Sequence, residues 1–244
     1  MSGTLRVNEI FLSVQGESTF AGLPCIFVRL TGCPLRCAYC DTAHAFHEGR
    51  ELAVEAVLAE VTRLAEGFPV APPERRLPLV EVTGGEPLAQ AAVHPLLTRL
   101  VETGRAVLLE TGGALDIASV DPRVRRILDV KCPSSGEAER NRWENLTHLR
   151  STDEVKFVLG TVEDYLWARR VLTERLADVP CPVLFSRAEP PPPGPGREEL
   201  KPFPADYTPL SRRELVERLL ADRLPVRFQA QLHKLIWPPT RRGV

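Results

Sequence analysis

Residues Arg29 to Thr42, RLTGCPLRCAYCDT, constrain this chain more than any other stretch. Three of the six cysteines lie within it, Cys33, Cys37 and Cys40, spaced C-x3-C-x2-C. Three thiols cannot all pair as disulfides. A structural zinc site takes four ligands, and a [4Fe–4S] cluster normally takes four thiolates. With three thiolates a cluster keeps one iron open to a ligand that is not protein. The competing reading is a zinc knuckle with a remote fourth ligand, Cys132, Cys181 or a histidine, in a non-enzymatic module. A short loop at a strand end, with no second CxxC pair, favours the cluster.

Composition supports a reducing setting. The 244 residues carry a net charge of −1, without the basic field of a nucleic-acid binder. No apolar run reaches the roughly 20 residues of a membrane helix. The start, MSGTLRVNEIF, lacks the plan of a signal peptide. A cytoplasmic protein with reduced thiols is therefore expected, with no nucleic-acid or membrane partner. The 23 prolines gather at 69–78, 180–195 and 202–209 and mark loops.

Strands and helices alternate along the chain. Strands are expected at 7–14, 25–31, 79–83, 106–110, 126–131, 154–159 and 182–186, and helices at 51–66, 91–101, 162–177 and 210–222. About six βα units follow, two short of a full barrel, so the expected fold class is α/β, a partial (β/α)6 TIM-like barrel. One domain over 1–244 is expected, with a core of about 5–187 and a proline-rich connection and C-terminal extension over about 188–244. Within that extension, 226–237 alternates like an added strand. The small and polar clusters TGGEP, ETGG, KCPSSGE and FSR all fall at strand C-terminal ends, where such folds collect function. Arg29 interrupts an apolar strand and so needs a partner or a polar cavity.

The cysteine spacing resembles the signature of the radical S-adenosylmethionine (SAM) superfamily, and Thr83-Gly84-Gly85-Glu86-Pro87 resembles its second motif. A narrower resemblance, to 7-carboxy-7-deazaguanine synthases, rests on residues in the same order along nearly the whole chain. They are Val14-Gln15-Gly16-Glu17, Arg29, Cys40-Asp41-Thr42, Asp129 to Gly136 (DVKCPSSG), Glu154-Val155-Lys156-Phe157 and Leu232-His233-Lys234. A glycyl-radical activase would share the cysteines and GGEP but should lack the early QGE and Arg29.

The resemblance implies an enzyme that converts 6-carboxy-5,6,7,8-tetrahydropterin to 7-carboxy-7-deazaguanine with loss of ammonia, in queuosine and deazapurine biosynthesis. It implies a [4Fe–4S] cluster on Cys33, Cys37 and Cys40, and SAM on the open iron as a reusable source of a 5′-deoxyadenosyl radical. Tyr39, Cys40, Asp41, Gly85, Lys131, Cys132, Pro133 and Ser186 would lie along SAM, with the Tyr39 ring against adenine. Val14, Gln15, Gly16, Arg29 and Thr83 would bind substrate, Arg29 through its carboxylate. Thr42 matches a Mg2+ ligand, though alone it reads as a helix N-cap. A flavodoxin- or ferredoxin-type electron donor and a homodimer are expected of the family. In the family the C-terminal carboxylate can contact substrate; here the chain runs on through WPPTRRGV. Cys25 and Cys181 read as small core residues, and His44, His47, His94 and His148 as surface or cap residues.

Overall fold

The computed structural model describes residues 3–69, 77–191, 193–238 and 241–244. The proline cluster at 69–78 therefore falls mostly outside the described residues. Among those described, one mixed sheet of nine strands runs in the order β3-β1-β2-β4-β5-β6-β7-β8-β9. The strands are β1 (Thr4–Val14), β2 (Pro24–Leu30), β3 (Arg50–Ala53), β4 (Leu79–Gly84), β5 (Val107–Thr111), β6 (Arg125–Val130), β7 (Glu154–Leu159), β8 (Val183–Arg187) and β9 (Arg227–Gln229). From β2 through β4 to β9 every pairing is parallel. β1 is antiparallel to both β2 and β3, and β3 forms the other edge.

The parallel strands are buried on both faces and so read as near-continuous apolar runs, VLL in β5 and VLF in β8. Helices α1 (Val54–Leu64), α2 (Val93–Glu102), α3 (Val162–Glu174) and α4 (Arg212–Ala221) send buried leucines, valines and Tyr165 into one core with the sheet. The six strands β2 and β4 to β8 are the six expected. Laid flat, they would span roughly 24 Å at about 4.8 Å per strand. Residues from all six C-terminal ends nonetheless line a single cavity, so the sheet curls as a partial barrel does. The sheet is not closed.

The structure departs from the sequence expectation in three places. Glu51–Ala53 belongs to β3, paired with β1, and the helix begins only at Val54. The β5–β6 and β6–β7 connections carry no α-helix; the second is built of 3-10 turns. Residues 226–237 are not one strand: β9 takes Arg227–Gln229, and a short helix, α5 (Leu232–Ile236), follows. Among the described residues no helix is long and apolar enough to cross a membrane.

Two buried carboxylates hold the loops that matter. Asp164 caps α3 with Thr161 and also accepts from Gly160 N (2.8 Å), Ser134 N (2.8 Å) and Ser134 Oγ (2.5 Å). It thereby pins the KCPSS turn against the N-terminus of α3. Asp153 takes the Arg126 guanidinium at 2.5 Å, both side chains nearly inaccessible. Such a pair costs several kcal/mol if one partner is removed (about 3–5).

Candidate active site

The cysteine loop is held on every side by backbone contacts. Gly32, at φ +95°, turns the chain out of β2. Its N–H donates to Ala45 O (2.8 Å) and its carbonyl accepts from Glu86 N (2.7 Å). Gly85 N donates to Leu30 O at 3.2 Å. A Cβ on Gly85 would lie 1.9 Å from the Gly32 oxygen. The glycine is thus required by the cysteine loop itself, before any ligand is considered. Glu86, nearly inaccessible, accepts from Leu88 N (3.0 Å), Gly112 N (2.8 Å) and Thr111 Oγ1 (2.9 Å). TGGEP and ETGG are so fastened together.

On the opposite side, Ala38 N donates to Ser135 O (3.0 Å), and Arg36 N to Glu137 Oε1 (2.7 Å). The Arg36 guanidinium lies 4.0 Å above the Phe46 ring and pairs with Glu199 at 3.0 Å. Lys201 N donates to the Arg36 carbonyl at 2.9 Å. The proline-rich connection therefore braces the cysteine loop rather than merely linking elements.

Cys33, Cys37 and Cys40 open into one cavity. Burial pushes the Cys33 thiol up to about 11 and the Cys37 thiol up to about 12; Cys40 is also raised, burial leading and the Asp41 charge adding to it. Thiols so placed ionise when a cationic group is bound to them, as iron would be. Among the described residues no three His, Cys, Asp or Glu side chains converge on one metal-sized point. A single zinc ion needs such convergence. A cubane does not, because each thiolate takes its own iron corner. Cys132 and Cys181 are buried and absent from the cavity lining, so neither supplies the remote ligand of a knuckle. The donor set fits a three-cysteine cluster.

The cavity gathers most of the residues singled out in the sequence. Val14, Gln15, Gly16, Arg29, Tyr39, Cys40, Asp41, Thr42, Thr83, Gly85 and Lys131 all line it. Cys132, Pro133 and Ser186 do not. Ser186 Oγ donates to Phe157 O (3.5 Å) inside the sheet, and the Cys132 thiol faces Val130 O (4.0 Å). Tyr39 donates to Val158 O (3.1 Å), which fixes its ring in the wall. Thr42 precedes the 3-10 turn Ala43–Phe46 without capping it through its side chain; its Oγ1 sits 3.7 Å from Cys40 Sγ.

Strand register supplies the rest. Arg29 lies beside Thr83 and Asp129 beside Lys156. Arg29 Nε donates to Glu9 Oε1 at 2.8 Å. Burial alone would raise Glu9, but His44 and Arg29 outweigh it and bring the carboxyl to about 2. Lys156, almost wholly buried, touches Glu110, lies 3.0 Å from Glu17 and 4.0 Å from Asp129. Lys131 takes Asp129 at 2.7 Å. The second Asp129 oxygen is buried with no partner among the described residues.

The chain's far end closes the roof. Leu232 N donates to Gly16 O (2.9 Å), Gln231 Nε2 to Glu17 Oε1 (2.8 Å), and Lys234 reaches Asp41 at 2.6 Å. A Cβ on Gly16 would meet His233 Nδ1 at 2.4 Å. QGE, CDT and LHK, each weak as a motif, form one contact network. Val244 lines the cavity too. Glu81, Glu110 and Gln231 were not singled out from the sequence, and Asp129 and Lys156 stood there only inside motifs, with no role assigned. A charge inside an apolar strand, the signal used for Arg29, marks Glu81 in LVEVTG and Lys156 in EVKFVL as well. Of the other histidines, His47 meets Glu199 at 2.6 Å on the surface. His44 sits 3.8 Å from Glu9.

A partial barrel with three thiols on the loop after its first parallel strand, opening into a cavity at the strand C-terminal ends, defines a radical SAM enzyme. Comparison with known proteins narrows the class. The chain is 41% identical over 242 residues to the 7-carboxy-7-deazaguanine synthase of Koribacter versatilis, covering 98% of this chain and 100% of that one. It is 42% identical over 243 residues to the same enzyme of Chlorobaculum tepidum, covering 98% and 97%. It belongs to the 7-carboxy-7-deazaguanine synthase family. The fold resembles that of QueE from Escherichia coli, with a TM-score of 0.62 at 23% identity over 93% of this chain and 94% of that one. No protein-family model matches the chain. Radical SAM enzymes of this family use a [4Fe–4S] cluster and SAM.

Proposed function

We propose that the protein converts 6-carboxy-5,6,7,8-tetrahydropterin to 7-carboxy-7-deazaguanine with release of ammonia. The observation that carries this reading is the placing of Arg29 on the same cavity as the three thiols. Glu9 holds Nε, and the two terminal nitrogens have no partner among the described residues. That leaves a fork aimed at a carboxylate. Cys33, Cys37 and Cys40 would hold the cluster, which together with SAM would supply reversible hydrogen-atom abstraction.

The chain's own groups do the rest. Gly85 and the Gly32 turn hold the thiols in register. Lys131, paired with Asp129, keeps positive charge beside Cys37. Tyr39 and Asp41 would flank SAM, with Lys234 keeping the Asp41 carboxyl ionised. Cys132, Pro133 and Ser186, behind the wall, would act through it. Arg29 would take the substrate carboxylate. Thr83, whose hydroxyl donates to Glu110 (3.5 Å), would offer lone pairs to the ring, and Val14 and Gly16 their backbone. Thr42 would be one oxygen ligand of Mg2+, with substrate and water completing the sphere. A flavodoxin- or ferredoxin-type donor would deliver the electron. The whole chain would act as one unit in a homodimer, residues 188–244 roofing and bracing the core.

The test is anaerobic reconstitution with iron and sulfide and chemical reduction, then incubation with carboxytetrahydropterin, SAM and Mg2+. The expected outcome is the deazaguanine chromophore with substoichiometric loss of SAM. SAM cleavage without that chromophore would overturn the reading.

A further inference from the structure

Glu81 lies on β4, two residues before Thr83 and therefore on the same face of the strand. It is 3% exposed and lines the cavity floor. We propose that Glu81 stands there as an uncharged carboxylic acid whose O–H is offered to a hydrogen-bond acceptor of the bicyclic ligand, a ring oxo or imine group. This deepens the substrate reading above and rests on it.

The argument starts from partners. Four carboxylates surround Lys156: Glu17, Glu81, Glu110 and Asp129. Three of them pair with it, and Asp129 also takes Lys131. Glu81 makes no ion pair among the described residues; its hydrogen bond comes from a neutral amide, Gln15 Nε2. If Glu81 were ionised, four carboxylates would share Lys156 and Lys131, and only Glu17 draws on Lys234 besides. With Glu81 neutral, three share them.

The groups that face Glu81 give no other source of positive charge. They are Glu17 from the loop after β1, Cys25 of β2, Glu110 of β5 and Lys156 of β7. Burial, and then the Glu110 charge, raise the Glu81 carboxyl well above its ordinary range against the opposing pull of Gln15 and Lys156. Burial beside other carboxylates disfavours the charged form, and a carboxylic acid kept neutral in this way can donate.

Gln15 makes the polarity unambiguous. Its Oε1 accepts from Glu17 N (3.1 Å), its backbone N donates to Leu23 O (2.8 Å) and its backbone O accepts from Gly22 N (2.8 Å). With Oε1 so engaged, Nε2 must point at Glu81, and Glu81 must accept there with one oxygen. In the acid form the other oxygen is then the one that carries the proton. An ionised carboxylate could only accept; the acid reads an acceptor, and so Glu81 selects for the oxo or imine edge of a heterocycle.

The test compares the reconstituted wild-type enzyme with Glu81→Gln and Glu81→Leu. Glutamine keeps a donor at this place, and leucine does not. Each variant should load iron and sulfide like wild type. Glu81→Gln is expected within about tenfold of wild type in kcat/KM, and Glu81→Leu to lose about 100-fold, mostly in KM. The alkaline fall of kcat/KM that follows Glu81 should vanish in Glu81→Gln. Infrared spectra at neutral pH should show a protonated-carboxyl stretch in wild type that Glu81→Gln lacks. A Glu81→Gln enzyme as poor as Glu81→Leu would overturn the proposal, as would absence of that stretch. If wild type makes no deazaguanine, the substrate reading fails, and the infrared band still decides the state of Glu81.

Discussion

Gly85 shows how little room the thiol loop leaves. A methyl group there must displace the Gly32 carbonyl or the Cys33 side chain, 1.9 and 3.2 Å away. Gly85→Ala is expected to cost about 2 kcal/mol or more and to lower iron content after reconstitution; an unchanged melting curve and full iron loading would contradict the packing argument. Cys33→Ala should leave the fold intact, lower iron and sulfide, and remove turnover. Retained turnover in that variant would show that Cys33 is not a ligand. At this scale the cysteines and Arg29 stood out because spacing or an interrupted apolar run exposes them, and Thr83 only through the resemblance of TGGEP to a known motif. Glu81 and Lys156 carried the same signal as Arg29. Their partners, however, lie 25 residues or more away in sequence, on other strands or in the loop after β1, and meet them only after folding.

Helix α5 depends on charge as much as on packing. Only five residues long, it has no buried side chains and cannot persist alone. Its anchors are Gly16, Glu17 and Asp41. Burial alone would raise Glu17, but Lys156, His233 and Lys234 bring it to about 2, below the ordinary 4.5. A lowered carboxyl stabilises the folded state above its ordinary value, and that contribution fades as pH falls through the lowered one. Between pH 4.5 and 2 the helix should therefore detach, seen as a red shift of Trp237 emission before the main unfolding transition. Lys234→Met should move the detachment toward neutral pH; a single transition in both proteins would refute it. Sequence periodicity could not find α5. Three alternating residues ran straight into it, and tertiary contacts alone end β9 at Gln229. The β3 strand hid for a similar reason: Arg50–Ala53 has no strand pattern of its own and is extended because β1 offers an edge.

Across the whole molecule, the parallel sheet of a partial barrel was readable because βα alternation admits few topologies, while the roof was not, because it joins segments about 200 residues apart. Burying three protonated thiols beside Glu86, Asp41 and Asp129 leaves a site that a bound cationic cluster completes. Reconstituted protein should therefore melt several degrees above the cluster-free form, by mass action; equal melting temperatures would contradict this. The roof also fixes an order of events. Residues 16 and 17 are made early, and their partners 231 and 232 only after more than 200 further residues. A chain halted before Gln231 already has the thiol loop, the glycine rail and the carboxylate floor, but nothing over them. Iron and sulfide would meet an open loop at that stage, and the contacts of residues 231, 232 and 234 would form over it afterwards. A ribosome-stalled chain ending at residue 225 should accept a cluster faster than the finished protein does.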